Sequence, residues 1–324
     1  MHTISQYQDF FKEYLGSHAI DQEPKNLYEP IQYILALGGK RMRPVLTLMT
    51  AEIFDTVYTE ALPAAMAVEV FHNFSLVHDD IMDAAPLRRG NETVHKKWDL
   101  NTGILSGDAM LILAYQYFEN YEPVIFRELA KVFSKTALEV CEGQQWDVDF
   151  ESRDDVTIPE YLKMIEYKTA VLVAAAMKMG AIIAGASEEC AIAIYKFGLY
   201  LGIAFQLQDD YLDAFGDPET FGKQIGGDII ENKKTYLYLR ACEFSSPQEA
   251  NQLLHLFSVQ PDDATDKIHA VKEIFIASGA SGATLQAIQE YTFKAFATLD
   301  TINISDSKKE ILKTFGQNLM DRKV

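Results

Sequence analysis

The chain has 324 residues, 48% of them hydrophobic, and a formal net charge of −18 at pH 7. A chain of this length and apolar content can bury a large core, whereas its negative charge argues against nucleic acids and anionic membrane surfaces as partners. The three cysteines have no metal-like spacing, which indicates a reducing compartment and no disulfide framework.

Helical periodicity runs through the chain from its first residues to its last. Apolar spacing predicts helices around Tyr7 and around Ile31, and Gly38-Gly39 ends the second of these. A long helix is predicted from about Pro63 through Asp83, with further helices at 103–120 and 123–146. Capping residues or capping boxes that open later helices stand at Thr157, Ser187, Ser246 and Ser307. With no alternating strand pattern or internal linker, the sequence predicts one all-α domain over residues 1–324, a helical bundle with inward-facing polar sites.

The terminal and apolar segments predict where the protein resides. Segment 1–16 mixes charged with aromatic side chains, which is typical of neither a signal peptide nor a transit peptide. The longest apolar run, 169–186, is interrupted by Lys178 and is short for a membrane span. We therefore expect a cytoplasmic protein with no stable membrane insertion.

Two aspartate-rich motifs, HDDIMD and QDDYLD, stand at the ends of strongly apolar segments. Their carboxylates have the same internal spacing, at Asp79, Asp80, Asp83, Asp209, Asp210 and Asp213. Packed carboxylates repel one another, and a divalent cation relieves this repulsion. Clustered oxygen ligands without histidine or cysteine at ligand spacing favour a hard ion, Mg²⁺ or Mn²⁺, shared with substrate phosphates. The alternative for either motif taken alone is a solvated acidic surface.

Basic residues accompany both motifs. Residues 38–44, GGKRMRP, place three cations at a helix start, where free N–H groups and the helix dipole also favour anions. Arg88-Arg89 follows the first motif, and Lys168 interrupts an otherwise apolar run. After the second motif come Lys223, Lys233 and Lys234. We therefore expect the two acidic helix ends to face each other across a phosphate-bearing substrate, bridged by metal.

Taken in order, the motifs GGKRMRP, HDDIMD with LRRG, YKTA, FQLQDDYLD and GKQIGGDIIENKKT resemble those of the trans-prenyl diphosphate synthases, over residues 35–235. A single DDxxD also occurs in terpene cyclases and head-to-head synthases, but the second motif and GGKRMRP favour the chain-elongating enzymes. The resemblance implies an isoprenoid synthase-like bundle with a central apolar cavity, working as a homodimer. It implies a Mg²⁺-dependent, head-to-tail condensation of isopentenyl diphosphate with a C5–C15 allylic diphosphate, giving a C15–C20 all-trans product.

The resemblance also implies a role for individual residues. Asp79 and Asp83 would hold two Mg²⁺ ions with support from Asp80, and Asp209 would hold a third. The allylic diphosphate would be bound by Arg88, Lys168 and Lys233, with Thr169, Gln206 and Lys223 nearby. Isopentenyl diphosphate would be bound by Lys40, Arg43, His72 and Arg89. Gln144 would lie near the reacting carbons. For His72, which shares a helix face with Asp79, the alternative is a satisfied core histidine.

Helix rise converts sequence position into depth below the first motif. Ser75 and Phe74 precede its first aspartate by four and five residues, or about 6–7.5 Å along the axis. In the family that this chain resembles, the growing hydrocarbon tail passes this level, so Phe74 is the predicted floor and Phe71 a second stop. Gly198 and Gly202, below the second motif, either leave room for the tail or allow close helix packing.

Three functions therefore stay open on the sequence. The first is a prenyltransferase that makes a C15 or C20 diphosphate. The second is another terpenoid enzyme, either a cyclase, a head-to-head synthase or a synthase of longer polyprenyl chains. The third is a non-catalytic, metal-binding subunit of a heteromeric synthase.

Overall fold

The computed structural model describes residues 1–217 and 225–321, and the regular secondary structure of this part of the chain is almost entirely helical. Its α-helices are α1 (Ile4–Ser17), α2 (Lys25–Ala36), α3 (Met42–Ile53), α4 (Leu62–Met82), α5 (Val94–Lys97), α6 (Leu100–Gln116), α7 (Pro123–Glu151), α8 (Ile158–Ile165), α9 (Val171–Ile183), α10 (Glu188–Phe215), α11 (Gly227–Ile230), α12 (Tyr236–Phe244), α13 (Pro247–Leu256), α14 (Thr265–Ala277), α15 (Ala280–Asp300) and α16 (Asp306–Met320). The strands described are two residues long, with β1 (Leu87–Arg88) antiparallel to β2 (Asn91–Glu92). The all-α prediction is confirmed.

Three segments of helix have other hydrogen-bonding patterns. Short 3₁₀ turns cover Tyr58–Ala61 and Tyr117–Asn120. A π-helical turn covers Glu166–Ala170, between α8 and α9. The wider π turn is frequent at functional sites, and this one contains the Lys168-Thr169 pair that the sequence singles out.

The chain divides into two compact units. Unit 1 comprises Met1–Ser134 and Ala175–Ile192, and unit 2 comprises Lys135–Ala174 and Ala193–Val324. The expectation of a single domain over residues 1–324 stays a prediction.

In unit 1, α4 is the central helix and packs against α3 and α6. Its apolar residues are buried on nearly all sides, as the continuous apolar character of residues 64–71 requires. Within residues 64–71 the charged residue is Glu69, which is buried with Arg41 as an ion pair. Arg41 also donates to the Leu35 carbonyl. Gly180 of α9 allows close contact with α3, since a Cβ there would lie 2.4 Å from the Thr47 carbonyl oxygen.

Unit 2 has its own apolar core, whose fully buried members include Tyr161, Leu207, Leu237, Val271 and Phe275. Its helix starts follow the sequence signals at two positions. Thr157 forms the predicted capping box, with side-chain and backbone hydrogen bonds in both directions. Ser246 is the predicted N-cap, and the structure adds a capping box with Glu249.

One predicted helix start is wrong, and another is confirmed. The sequence predicts a capping box at Ser307, but α16 has its N-cap at Ser305, two residues earlier. The Ser307 hydroxyl lies 3.0 Å from the Ser305 hydroxyl and so does not cap the helix. In unit 1, the Ser187 hydroxyl accepts a hydrogen bond from the Cys190 N–H at 3.2 Å, as expected of a cap.

Within the described ranges, α10 alone is long and apolar enough to cross a membrane, judged by length and composition. Half of its most apolar stretch is buried inside the protein. The core helix of a globular protein has the same character, so this helix is weak evidence for a membrane span.

Candidate active site

The first aspartate-rich motif forms the last turn of α4. The helix ends at Met82, and the Asp83 N–H donates to the Asp79 carbonyl at 2.9 Å. Helix C-termini carry free carbonyl groups and the negative end of the helix dipole. Three carboxylates in this turn add to the same negative potential, so the arrangement favours a bound cation.

The aspartates of this motif differ in their surroundings. Asp80 is 1% exposed, and its Oδ1 accepts hydrogen bonds from Arg88 Nε at 3.0 Å and Nη2 at 2.5 Å. Burial raises the pKa of Asp80, and Arg88 opposes that shift. The Oδ2 of Asp80 is buried and accepts no hydrogen bond from any residue in the described ranges. Asp83 is exposed and Asp79 is half-buried, so both can reach a ligand, whereas Asp80 positions Arg88.

Arg88 contacts two of the three aspartates of this motif. Its Nη2 lies 3.8 Å from the Asp79 Oδ2 as well as contacting Asp80. Burial alone would lower the pKa of this guanidinium, but the carboxylates of Asp80, Asp79 and Asp83 outweigh burial and raise it. A charged arginine held in this way presents a fixed positive group beside the two accessible aspartates.

His72 lies in a cluster of arginines. The Arg43 Nη1 lies 3.2 Å from the His72 Nε2. Burial, followed by the positive charges of Arg43 and Arg89, lowers the pKa of His72 well below its ordinary value. The imidazole is therefore neutral at neutral pH. Because a guanidinium can only donate, Nε2 is the acceptor and Nδ1 carries the proton. This geometry gives an anion two kinds of donor, guanidinium groups and the Nδ1–H group.

The Gly38-Gly39 turn leaves space for the Arg89 guanidinium. Gly39 has φ +126°, and a Cβ there would lie 2.9 Å from the Arg89 Cζ. Arg89 Nη1 donates to the Gly38 carbonyl. The turn therefore ends α2, as predicted, and also lets a guanidinium lie against the backbone. Of the three cations that follow the turn, Lys40 is exposed and Arg43 is half-buried, while Arg41 is used in the buried pair with Glu69.

Unit 2 contains a cavity of about 120 Å³ with acidic and basic side chains in its wall. It is lined by Asp147, Phe150, Glu151, Tyr161, Met164, Ile165, Lys168, Thr169, Gln206, Asp210, Asp228, Lys233, Lys234 and Thr235. The structure thus brings together six residues that the sequence singles out: Lys168, Thr169, Gln206, Asp210, Lys233 and Lys234.

The π turn presents Lys168 and Thr169 to this cavity. Lys168 Nζ lies 2.5 Å from the Asp147 Oδ2, and the Thr169 hydroxyl donates to the Gln206 Oε1 at 3.0 Å. Two glycines let neighbouring helices approach the turn. A Cβ at Gly143 would lie 2.3 Å from the Lys168 backbone nitrogen, and one at Gly202 would lie 2.8 Å from the Ala170 Cα. Close packing, rather than space for a tail, is what the structure shows at Gly202.

Asp210 is the buried aspartate of the second motif. Its Oδ2 accepts a hydrogen bond from the Tyr161 hydroxyl, and its Oδ1 accepts one from Gln206 Nε2 at 2.9 Å. Burial and the nearby Asp228 carboxylate raise the pKa of Asp210 well above its ordinary value. Burial likewise raises the pKa of Tyr161. Two donors on one carboxylate favour its ionised form, which burial disfavours. A cation near Asp210 and Asp228 would stabilise the ionised form.

Asp213 holds the next turn of the chain in place. Its carbonyl accepts from the Gly226 N–H at 2.7 Å, and its Oδ2 accepts from the Asp228 N–H at 3.0 Å. Gly226 has φ +81°, the left-handed region that favours glycine. Asp213 therefore positions α11, and α11 in turn carries Asp228 to the cavity wall.

The two adjacent lysines after α11 have different partners. Lys233 Nζ lies 2.8 Å from the Glu231 Oε2. Burial opposes the charge of Lys233, but the carboxylates of Glu231, Asp228 and Asp147 outweigh burial and raise its pKa. Lys234 Nζ donates to the carbonyls of Phe150 and Glu151 at 3.0 and 3.2 Å, and so caps the end of α7. Lys233, whose partner Glu231 is exposed, is thus the lysine of this pair that is better placed to bind a ligand.

Several predicted site residues stand apart from these contacts. Asp209 is half-buried and is not in the cavity wall given above. The Gln144 Nε2 is buried and donates to no described residue, which fits an amide that meets a ligand. Lys223 lies outside the described residues.

Asp147, Tyr161 and Asp228 were missed by sequence reasoning. Asp147 follows Gln144 by three residues, so the helical face of Gln144 was the available signal. For Asp228 the signal was its place directly after Gly226-Gly227, a turn that only glycine adopts easily. Tyr161 carried no signal, because its partner Asp210 is 49 residues away in sequence.

The predicted chain-length residues lie in an aromatic cluster of unit 1. Phe74 and Phe71 are 8% and 1% exposed, with ring centroids 5.4 Å apart. The Phe74 ring also meets His78 at 4.9 Å, and the Phe71 ring meets Phe133 at 5.1 Å. The Ser75 hydroxyl donates to the His72 carbonyl at 2.8 Å, so it is satisfied within its own helix. These contacts leave Phe74 able to act as a floor, and that role stays a prediction.

The acidic residues fit a metal that is shared with a ligand. Over residues 1–217 and 225–321, no group of three histidine, cysteine or acidic side chains is placed to hold a metal ion by itself. Mg²⁺ is usually held by one or two carboxylates together with water and substrate phosphates. Such an ion fits the accessible carboxylates of Asp79 and Asp83. It also fits the Oδ2 of Asp80 beside them, which is buried and accepts no hydrogen bond from the described residues.

The all-helical fold, with helices that end in aspartates beside arginines or lysines, defines the isoprenoid synthase class. Residues 24–275 match the polyprenyl synthetase family, and the chain belongs to that family.

Relatives extend the match along the chain. A geranylgeranyl diphosphate synthase of Methanosarcina mazei is 45% identical over 222 residues, 68% of each chain. A geranylfarnesyl diphosphate synthase of Natronomonas pharaonis is 34% identical over 99% of this chain and 97% of its own. A crystal structure of a geranylgeranyl pyrophosphate synthase superposes with a TM-score of 0.96 at 56% identity, over 100% of both chains.

These similarities confirm the prediction of a trans-prenyltransferase. The alternatives of a cyclase or a head-to-head synthase are not favoured, because these relatives are named as geranylgeranyl or geranylfarnesyl diphosphate synthases and the match covers nearly their whole length.

Proposed function

We propose that this enzyme condenses isopentenyl diphosphate with an allylic diphosphate, head to tail, to give an all-trans prenyl diphosphate. The observation that carries this proposal is the unit 2 cavity, where Lys168 and Lys233 stand beside Asp147, Asp210 and Asp228. Cations and carboxylates in one wall suit a diphosphate that arrives with a divalent metal. The relatives are named for C20 and C25 products, and we propose the C20 diphosphate as the main product within a C15–C25 range.

The protein's own groups bind and orient the two substrates. Lys168 and Lys233 of unit 2 neutralise the allylic diphosphate, and Arg88 supplies positive charge beside the aspartates of unit 1. The arginine cluster with the Nδ1–H of His72 binds the diphosphate of isopentenyl diphosphate. Apolar helices exclude water from the reacting carbons. The oxygen atoms that would hold Mg²⁺ belong to Asp79, Asp83 and Asp209, and we propose three ions. When bound, Mg²⁺ supplies positive charge that stabilises the departing diphosphate.

The condensation breaks and forms bonds in a fixed order. The allylic C–O bond breaks, and the diphosphate leaves with the bonding electron pair. The double bond of isopentenyl diphosphate attacks the allylic cation, forming a C–C bond and a second cation. A proton then leaves the carbon next to that cation, and its electron pair forms the new double bond. The departed diphosphate is the base that takes this proton. No nucleophilic side chain is required, so the three cysteines have no part in the reaction.

We also propose a cytoplasmic homodimer with no stable membrane insertion. Support for association comes from α6, where Leu100, Leu105 and Ile112 are more than half exposed. Exposed apolar side chains on one helix are typical of a protein–protein contact. Light scattering after size-exclusion chromatography measures the assembly, and a monomer at micromolar concentration would contradict it.

The test of the proposed activity is chromatography of the products. The purified chain is incubated with labelled isopentenyl diphosphate and, in separate reactions, with the C5, C10 or C15 allylic diphosphate. We expect label in a C20 product from all three primers, which also excludes a subunit that needs a partner chain. Asp9→Asn, a change on the exposed face of α1, is the matched control for Asp83→Asn, which should abolish incorporation. Absence of incorporation with every primer would refute the proposal.

A further inference from the structure

Lys267 of α14 is a buried lysine whose hydrogen-bond partners among the described residues are an amide oxygen and a carbonyl oxygen. Its residue is 4% exposed, and its Nζ donates to the Asn232 Oδ1 at 2.6 Å and to the Val259 carbonyl at 2.9 Å. Among the residues that the structure describes, no acidic side chain pairs with it. Lysine is almost never fully buried unless it is paired, because burial of a charge is costly. The groups to which Lys267 donates therefore indicate why this lysine is buried.

Asn232 is the side-chain partner, and its backbone is unusual. It has φ +59°, a left-handed conformation that asparagine tolerates better than most residues. It lies between Glu231 and Lys233, and the Lys233 N–H donates to the Asp228 carbonyl at 2.8 Å. The hydrogen bond from Lys267 to the Asn232 side chain thus fixes the turn that directs Lys233 toward the cavity.

The other end of the same segment rests on the next residue of α14. Gly226 has φ +81°, and a Cβ there would lie 3.0 Å from the Ile268 Cδ1. Residues 226 and 232 bracket Asp228 and are followed by Lys233. Two adjacent residues of α14, Lys267 and Ile268, therefore support both ends of the segment that carries these two cavity residues.

We propose that Lys267 is a positioning residue for the diphosphate site of unit 2. By holding Asn232, it fixes residues 226–233 so that the Asp228 carboxylate and the Lys233 ammonium both line the cavity. It touches neither substrate nor metal itself. This inference rests on the proposed function, because it assigns the cavity to the allylic diphosphate and its metal.

Lys267→Met keeps an unbranched side chain of similar length and removes the three donors. The affinity for Mg²⁺–pyrophosphate, measured by calorimetry, should fall about tenfold or more, the factor that a hydrogen bond to a charged group is worth. The KM for the allylic diphosphate should rise by a similar factor. The KM for isopentenyl diphosphate should change less than about twofold, since its proposed binders lie elsewhere in the sequence. The control is Lys272→Met on the same helix, which should leave all three values unchanged.

Asn232→Gly is the second variant, because glycine keeps the left-handed backbone while it removes the acceptor. It should weaken Mg²⁺–pyrophosphate binding as Lys267→Met does, and the double variant should be no weaker than either single one. If Lys267→Met does not fold, Asn232→Gly alone decides. Lower thermal stability with unchanged pyrophosphate affinity would overturn the proposal and leave Lys267 a purely structural residue. Failure of the wild type to bind Mg²⁺–pyrophosphate or to turn over would instead refute the proposed function.

Discussion

Gly143 is where a single methyl group should disturb the active site most informatively. It lies inside α7 against the π turn, and a Cβ there would be 2.3 Å from the Lys168 nitrogen and 2.8 Å from the Tyr167 carbonyl carbon. An ordinary contact begins near 3.4 Å, so Gly143→Ala must move the two backbones apart by about 1 Å. Overpacking of this kind costs about 1–3 kcal/mol, and the higher helix propensity of alanine offsets at most about 1 kcal/mol of it.

The same displacement should reach the chemistry, because the shifted atoms include the backbone of Lys168. A misplacement of about 1 Å can reduce turnover about a hundredfold. We therefore expect Gly143→Ala to lose about 1–2 kcal/mol of unfolding free energy in urea, and to lose at least about tenfold in kcat/KM for the allylic diphosphate.

Gly282→Ala is the matched control. Gly282 lies in α15, where a Cβ would meet nothing within 4 Å. This variant should gain up to about 1 kcal/mol from helix propensity and keep full activity. Wild-type stability and kinetics in Gly143→Ala would refute the close packing described for the π turn.

Three further variants test separate parts of the site. Because the pKa of His72 is depressed in the folded protein, its contribution to stability is complete above the unfolded pKa of about 6.5. That contribution is lost as pH falls below this value, by up to about 1.4 kcal/mol per pH unit. His72→Gln should therefore flatten the dependence of the unfolding free energy on pH, measured by urea titration, and an equal dependence in both proteins would contradict this prediction. Asp80→Asn removes the charge of the buried partner of half-buried Arg88 and should cost about 1–3 kcal/mol in unfolding free energy. A change below about 0.5 kcal/mol, typical of a surface site, would show that the pair contributes nothing to stability. Phe74→Ala should lengthen the product in chromatographic assays, and an unchanged product distribution would show that Phe74 is not the floor.

The sequence was sufficient wherever the deciding interaction is local. The capping interactions at Thr157 and Ser246 involve residues three apart, so the residue types alone identify these helix starts. The failure at Ser307 has the same origin, because Ser305 competes for the same helix end and no local signal ranks the two serines. The aspartate-ended helices were also predictable, since the acidic residues directly follow long apolar runs.

The sequence was insufficient wherever the deciding contact is distant or depends on packing. Residues 158–183 look like one continuous helical run, and nothing in their periodicity marks the π turn that separates α8 from α9. Aspartates of one motif are equivalent in the sequence, yet Asp80 is buried and paired with Arg88 while Asp83 is exposed. The pairing of Lys168 with Asp147 spans 21 residues, and only the folded chain brings them together.

We propose that the aspartate-ended helices would hold divalent metal, whose charge would stabilise the diphosphate that leaves the allylic carbon. The most direct measurement is turnover of labelled isopentenyl diphosphate with the C15 primer after exhaustive chelation, followed by titration with Mg²⁺. We predict that chelation abolishes turnover and that Mg²⁺ restores it in the wild type but not in Asp83→Asn. Turnover that persists undiminished after chelation would contradict the claim.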